Sequence, residues 1–161
     1  MRSEEITIER AELTADVSRR LIELLNAELR AVYAEPGATH FHLDPEEVAH
    51  GRGCFLVMFC AGAPVGCGAL RLLDQETAEL KRMYVSPSLR GTGLGRRLVA
   101  ALEAEARALG VRRLVLETGV LQVAALALYR ATGFEPIPLY GEYCLSPKTS
   151  VCFGKQLVDR E

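Results

Sequence analysis

Several features that mark other protein classes are missing from this 161-residue sequence. No apolar run approaches the roughly 20 residues that a membrane-spanning helix needs. Residues 1–10 are charged and lack the apolar core of a signal peptide. There is no basic excess to hold nucleic acid, because 19 Lys and Arg side chains are balanced by 21 Asp and Glu. We therefore expect a cytoplasmic protein that binds neither a membrane nor a nucleic acid.

Cysteine occurs five times but never as a C-x-x-C pair. Three of the five lie in apolar runs typical of strands, so we expect reduced thiols that pack as small hydrophobic groups. The alternative is a catalytic thiol, although no histidine shares a motif with any of them. The cysteines are Cys54, Cys60, Cys67, Cys144 and Cys152.

The length and the 49% apolar content favour a single domain over residues 1–161, without repeats or linkers. Polar–apolar alternation and apolar runs predict strands. Their ranges are 5–9, 54–60, 65–73, 77–85, 113–118, 134–137 and 150–157. Apolar residues at helical spacing predict helices between a Thr14 cap and a stop at 35–37, over 94–109 and over 122–131, with a short helix at 45–49. This order predicts a mixed sheet with helices packed on it.

A glycine-rich turn, Arg90-Gly91-Thr92-Gly93-Leu94-Gly95, joins the strand ending at Val85 to the second long helix. The first N–H groups of a helix lack intrahelical partners, and the helix dipole is positive at that end. Glycine lets the backbone approach a bulky anion, and Arg90 and Arg96 add donors suited to phosphate oxygens. The turn therefore predicts a phosphate or pyrophosphate site.

Two common phosphate motifs do not fit this turn. A P-loop requires Lys followed by Ser or Thr after the second glycine, and neither is present. A dinucleotide fingerprint requires G-x-G-x-x-G within an early β-α-β unit. Here the last glycine spacing is wrong, and a predicted hairpin precedes the turn.

The turn and its flanks resemble the GNAT superfamily of N-acetyltransferases. Arg90, Gly93 and Gly95 match the R-x-x-G-x-G loop that holds the acetyl-CoA pyrophosphate in that family. Residues 79–85, ELKRMYV, resemble its preceding strand, and residues 125–134, ALALYRATGF, resemble its later A-x-x-L-Y-x-x-x-G-F segment. The order of elements fits from about residue 6 to residue 157. One departure is Gln122, where many members carry Asn.

The resemblance implies an α/β fold whose central sheet is mostly antiparallel, with one parallel pair at the cofactor cleft and flanking helices. It implies direct transfer of an acetyl group from acetyl-CoA to an amine, without a metal. The backbone of the preceding strand would pair with the pantetheine arm, and the turn would hold the pyrophosphate. The implied cofactor residues are Met83, Tyr84, Val85, Arg90, Gly91, Thr92, Gly93, Leu94, Gly95, Arg96 and Gln122.

The implied reaction needs an acid for the leaving thiolate and a base for the acceptor ammonium. Tyr129 matches the tyrosine that protonates the leaving thiolate in many members, and a phenol with an ordinary pKa near 10 keeps that proton at neutral pH. Glu79 is the first candidate for the base that deprotonates the acceptor, and Glu117 is the second. The alternatives are that a water chain accepts the proton, that these carboxylates only pair with Arg82 or Arg113, and that Tyr129 only packs against Phe134.

For the acceptor we expect an amine of a small molecule or peptide, and the sequence does not identify it further. His40, His42 and His50 could line its pocket, face water or hold a metal, although no further ligand completes a metal set. The loop 140–143, YGEY, is a further candidate for the pocket wall. A non-catalytic acyl-CoA-binding or partner-binding module, a longer acyl group and an oxygen acceptor remain alternatives. Pairing of exposed late strands would give a homodimer.

Overall fold

The computed structural model describes residues 5–32 and 43–157. The strands are β1 (Ile6–Arg10), β2 (Gly53–Cys60), β3 (Ala63–Leu72), β4 (Thr77–Val85), β5 (Arg113–Gly119), β6 (Glu135–Ile137) and β7 (Ser150–Gln156). The helices are α1 (Asp16–Val32), α2 (Leu94–Ala108) and α3 (Val123–Ala131). Short 3₁₀ turns cover Pro45–Val48, Pro87–Leu89 and Gly141–Leu145.

The seven strands form one sheet in the order β1-β2-β3-β4-β5-β7-β6. Neighbouring strands are antiparallel except β4 and β5, which run parallel. This arrangement confirms the predicted fold class. The parallel pairing extends only from Thr77 opposite Arg113 to Leu80 opposite Leu116, while β4 continues to Val85. The two strands therefore separate at their carboxyl ends and leave a gap in the middle of the sheet.

Irregular backbone accompanies this separation. Arg82 has a φ of 57°, a left-handed conformation that side chains other than glycine rarely adopt. The register between β3 and β4 shifts between Cys67 and Ala69, which places a bulge at the same level. Bulges bend a strand and increase its local twist, so β4 changes direction near the level at which its pairing with β5 ends.

Helices cover both faces of the sheet. The apolar stripe of α2 packs with Leu80, Leu116 and residues of α3 on one face. Its buried members are Leu94, Leu98, Leu102 and Ala106. On the other face, Leu21 and Leu25 of α1 pack against alternate residues of β2, β3 and β4. A fully buried leucine side chain contributes about 1.5–3 kcal/mol relative to an exposed one, so both layers stabilise the sheet.

Most predicted elements are confirmed to within two residues at each end. The short helix predicted over 45–49 is a 3₁₀ turn, in which the Asp44 backbone N–H donates to Glu47 at 2.9 Å. Gly110 and Gly133 adopt positive φ angles just beyond α2 and α3, as helix-ending residues do. The predicted stop of the first helix, residues 35–37, lies outside the described residues. No helix within residues 5–32 or 43–157 is both long and apolar enough to cross a membrane.

Candidate active site

A cleft of about 500 Å³ opens where β4 and β5 separate, between α2 and α3. The structure brings most of the predicted cofactor residues to its wall. They are Met83, Tyr84, Val85, Arg90, Gly91, Gly93, Gly95, Arg96 and Gln122, together with the predicted acid Tyr129. Two predicted residues are not in the wall. The Thr92 hydroxyl donates to the Leu89 carbonyl within the turn, and Leu94 is buried in the core.

The glycine turn presents the start of α2 to this cleft. Gly91 and Gly93 have φ angles of 80° and 89°, and Gly93 is the N-cap residue of α2. Gly93 has no side chain that could cap the helix, and the N–H groups of a first helical turn have no intrahelical partner, so they suit a ligand that accepts hydrogen bonds. Together with the positive end of the helix dipole, they form a site suited to phosphate oxygens.

Close packing of α2 and α3 forms the floor of the cleft. A Cβ atom added at Gly95 would lie 3.1 Å from Leu128 Cδ2, tighter than an ordinary contact. Glycine therefore lets the first turn of α2 approach α3, which carries Tyr129. The last glycine of the turn serves the packing of the two helices, whereas Gly91 and Gly93 serve the backbone conformation.

The side-chain amide of Gln122 has a buried donor suited to a bound ligand. Its Nε2 atom is buried and has no hydrogen-bond acceptor within the described part of the chain. The residue lies in the cleft wall immediately before α3. Leaving a buried donor unsatisfied costs about 1–3 kcal/mol, so the position suits a ligand that brings a hydrogen-bond acceptor.

Arg90 has partners within the protein. Its guanidinium forms an ion pair with Glu28 of α1 at 2.6 Å, donates to the Val85 carbonyl at 2.9 Å and lies over the Tyr84 ring. Arg90 thus ties the glycine turn to α1 and to the end of β4. Arg96 also lies in the cleft wall, and its side chain is exposed.

Tyr129 is 5% exposed and lies at the cleft. Its ring packs edge-on against Phe134, with centroids 5.7 Å apart, and against Phe153 at 6.4 Å. Burial, followed by the charge of Glu117, raises its pKa above the ordinary value. The phenol therefore stays protonated at neutral pH, and the aromatic contacts hold its orientation.

Glu79 lies beside the gap but on the opposite face from Tyr129. Its neighbour Leu80 packs in the core with α2 and α3, and successive strand side chains alternate between faces. The Glu79 side chain is fully buried. Arg71 donates to its Oε1 at 2.7 Å, and the hydroxyls of Tyr140 and Tyr143 both donate to its Oε2, the latter at 3.0 Å.

The arginine bonded to Glu79 is Arg71, which is not among the partners predicted from the sequence. Arg71 lies opposite Glu79 in the β3–β4 hairpin, so a register drawn for that hairpin could have found it. Arg71 also bonds Glu47 of the 3₁₀ turn that precedes β2. Arg82, one of the predicted partners, donates to Asn26 of α1 at 2.6 Å.

Glu117, the second carboxylate candidate, shares a face of the sheet with Glu79. Glu79 is opposite Val115 in the parallel pair, and Glu117 is two residues further along β5. Its Oε2 accepts a hydrogen bond from the Ser150 hydroxyl at 2.6 Å. The two carboxylates therefore lie on neighbouring strands near the start of the gap.

The remaining candidates contribute no further chemistry to the described site. The five cysteines are free thiols, and burial raises the pKa of Cys54 and Cys67 to about 12. No group of three potential metal ligands comes together in the part of the chain that the structure describes. His50 is exposed, whereas His40 and His42 lie outside the described residues.

Comparison with known proteins agrees with this geometry. The model of the acetyltransferase (GNAT) family matches residues 18–134. The IAA acetyltransferase of Azospirillum brasilense is 41% identical over 144 residues, which cover 88% of this chain and 92% of that protein. A Klebsiella pneumoniae structure assigned as an acyl-CoA N-acyltransferase is 34% identical, with a TM-score of 0.79 over 95% of this chain and 98% of that one.

A more distant structure shares the fold and contains a ligand. It is a GNAT family acetyltransferase from Elizabethkingia anophelis with acetyl-CoA bound, 19% identical to this chain. The TM-score is 0.68, and the alignment covers 94% of this chain and 98% of that one. At this identity the similarity concerns the fold alone.

Proposed function

The chain belongs to the GNAT family of acetyltransferases and is an acyltransferase enzyme. On this premise, we propose that it transfers the acetyl group of acetyl-CoA directly to a primary amine of a small molecule or peptide. The observation that carries the proposal is the cleft in which the uncapped start of α2 and the unsatisfied Gln122 amide lie together. Both features offer donors to an acceptor-rich ligand such as acetyl-CoA.

We propose two contacts for the donor. The backbone of Met83, Tyr84 and Val85 pairs with the pantetheine arm, because none of the described strands pairs with β4 on its β5 side beyond Leu80. The backbone of the turn 90–95 and the exposed Arg96 bind the pyrophosphate. The Arg90 side chain already pairs with Glu28, so we assign it to holding the turn in place.

The proposed reaction uses the two faces of the sheet. The thioester lies on the α2–α3 side of the gap, and a neutral amine attacks it from the α1 side. Tyr129 donates its proton to the leaving sulfur. Glu79 receives the proton that the acceptor ammonium must lose, because an ammonium with a pKa near 10 is neutral in only about one molecule in a thousand at pH 7.

We also propose a cytoplasmic location, which the five free cysteines support because oxidising compartments favour disulfides. A homodimer remains a prediction. The mechanism depends on neither the location nor the homodimer.

Two measurements test the activity. Saturating acetyl-CoA should raise the melting temperature by mass action, and thiol release should depend on an added amine. The acceptor panel should contain small amines, amino acids and peptides, together with IAA, the compound in the name of the Azospirillum relative. An unmoved melting curve would reject the donor. Binding of acetyl-CoA without release of its thiol in the presence of any acceptor would favour the non-catalytic module instead.

A further inference from the structure

The buried position of Glu79 creates a difficulty for the proposed reaction. The carboxylate is fully buried, its Oε1 is bonded to Arg71, and its Oε2 accepts from two phenols. Arg71 is itself anchored by Glu47, so the carboxylate is held from two sides. An acceptor amine cannot reach Glu79 directly in this arrangement, and a proton can reach it only through a group bonded to it.

We propose that Tyr140 is the catalytic residue that contacts the acceptor amine and passes its proton to Glu79. This inference rests on the proposed acetyl transfer. Tyr140 is half-buried, and its hydroxyl donates to Glu79 Oε2. A phenol oxygen that donates one hydrogen bond keeps lone pairs that can accept another, so it can receive an ammonium proton while giving its own to the carboxylate.

Tyr143 has the same partner but a different exposure. Its hydroxyl donates to the same Oε2 atom at 3.0 Å, yet the residue is only 3% exposed. The two rings pack edge-on, with centroids 5.2 Å apart. Because Tyr140 is the more exposed residue of the pair, we assign the acceptor contact to it, and Tyr143 orients the carboxylate.

The protonation state of the pair agrees with this assignment. Burial, followed by the charge of Glu79, raises the pKa of both phenols above the ordinary value. Both hydroxyls therefore remain protonated and directed at the carboxylate across the neutral pH range. Tyr140 acts as a relay whose phenolate is never a stable species.

The proton transfer balances as follows. An N–H bond of the ammonium breaks and its proton binds the Tyr140 oxygen, while the original Tyr140 O–H bond breaks and that proton binds Glu79 Oε2. The freed nitrogen lone pair attacks the thioester carbon, and the carbon–sulfur bond breaks as the intermediate collapses. The nitrogen loses its second proton to water, and Tyr129 protonates the sulfur. Tyr129 and Glu79 then return to their resting states by exchanging protons with water.

The test compares Tyr140→Phe with Tyr143→Phe, because each variant removes one hydrogen bond from the same oxygen. Two acceptors are used: the best amine of the panel and a fluorinated analogue whose ammonium pKa lies below the assay pH. We expect Tyr140→Phe to lower kcat/KM for the ordinary amine about 100-fold, as loss of general base catalysis does. The analogue binds as a neutral amine, so its kcat/KM should fall less than about fivefold. The KM for acetyl-CoA should not change. Tyr143→Phe should lower kcat/KM for the ordinary amine by less, about tenfold, because it removes a bond that orients the carboxylate but leaves the Tyr140 relay in place.

Equal losses on the two amines would show a merely structural role for Tyr140 and overturn the relay. Equal losses in the two variants, or no loss in Tyr140→Phe, would overturn the relay as well.

If Tyr140→Phe does not fold, a proton inventory of the wild-type enzyme tests the relay instead. A relay moves two protons and curves the dependence of kcat/KM on deuterium fraction, whereas a straight line rejects it. A wild-type enzyme without turnover rejects the proposed function and the relay together.

Discussion

At the scale of single residues, the site assigns different tasks to similar side chains. Tyr129 and Tyr84 both line the cleft and are both nearly buried. Tyr129 is oriented by Phe134 and Phe153, whereas Tyr84 lies beneath the Arg90 guanidinium. Only Tyr129 lies at the position that resembles the family's acid. The two rings are therefore held by different neighbours, and Tyr84 is a suitable reference for the role proposed for Tyr129.

Replacing Tyr129 by Phe removes the proposed acid and keeps the ring. We expect kcat to fall about 100-fold, because the thiolate must then leave without a proton donor. Acetyl-CoA affinity should change little. Steady-state kinetics with the best acceptor measures both quantities, and Tyr84→Phe is the matched control, expected to retain its kcat. An unchanged kcat in Tyr129→Phe would remove this residue from the mechanism.

At the scale of elements, the glycine turn combines backbone conformation with ligand binding. Gly93 at the start of α2 and Gly62 in the β2–β3 turn have φ angles of 89° and 86°. A Cβ atom at either position would meet no neighbour within 4 Å. The two positions are therefore matched in strain and in space, and they differ in their relation to the cleft.

We predict that Gly93→Ala and Gly62→Ala destabilise the protein by a similar amount, about 1–2 kcal/mol, because both force a left-handed alanine. Only Gly93→Ala should weaken acetyl-CoA binding, since relaxation of the strain would move the N–H groups of α2. Thermal unfolding measures the stability, and calorimetric titration measures the affinity. Equal affinities in the two variants would argue against pyrophosphate binding at this turn.

At the scale of the whole molecule, a buried polar network connects parts of the chain that are distant in sequence. Glu47, Arg71 and Glu79 join the 3₁₀ turn before β2 to β3 and β4, and the two tyrosines add the segment before β7. Removing one member leaves the others partly unsatisfied. The network therefore couples the folding of the loops to the geometry of the proposed base. A single domain over residues 1–161 remains a prediction.

The pH dependence of stability should report this network. Burial alone would raise the pKa of Glu47, but the Asp44 N–H and Arg71 outweigh it and hold the pKa below the ordinary value. A depressed carboxyl pKa stabilises the fold at pH values above the unfolded pKa of about 4.3, and this contribution is lost as the pH falls through the folded pKa.

We therefore expect Glu47→Gln to lower the free energy of unfolding by about 1–2 kcal/mol at pH 7, and the difference from the wild type to shrink below about pH 4. Urea unfolding at several pH values measures it. Glu46→Gln, at an exposed position in the same turn, is the control and should follow the wild type. A Glu47→Gln difference that is independent of pH would contradict the proposed role of its charge.

Local patterns in the sequence determined much of this protein. Alternation, apolar spacing and turn glycines are properties of neighbouring residues, so the predicted strand 77–85 and the start of α2 at Leu94 agree with the structure. The motif around the glycine turn identified the family for the same reason. The tyrosine partners of Glu79 were decided by tertiary structure alone. The register of the β3–β4 hairpin places Arg71 opposite Glu79, but Tyr140 comes from 61 residues away. Burial and hydrogen bonding at such a position depend on how distant segments pack, and no local pattern carries that information.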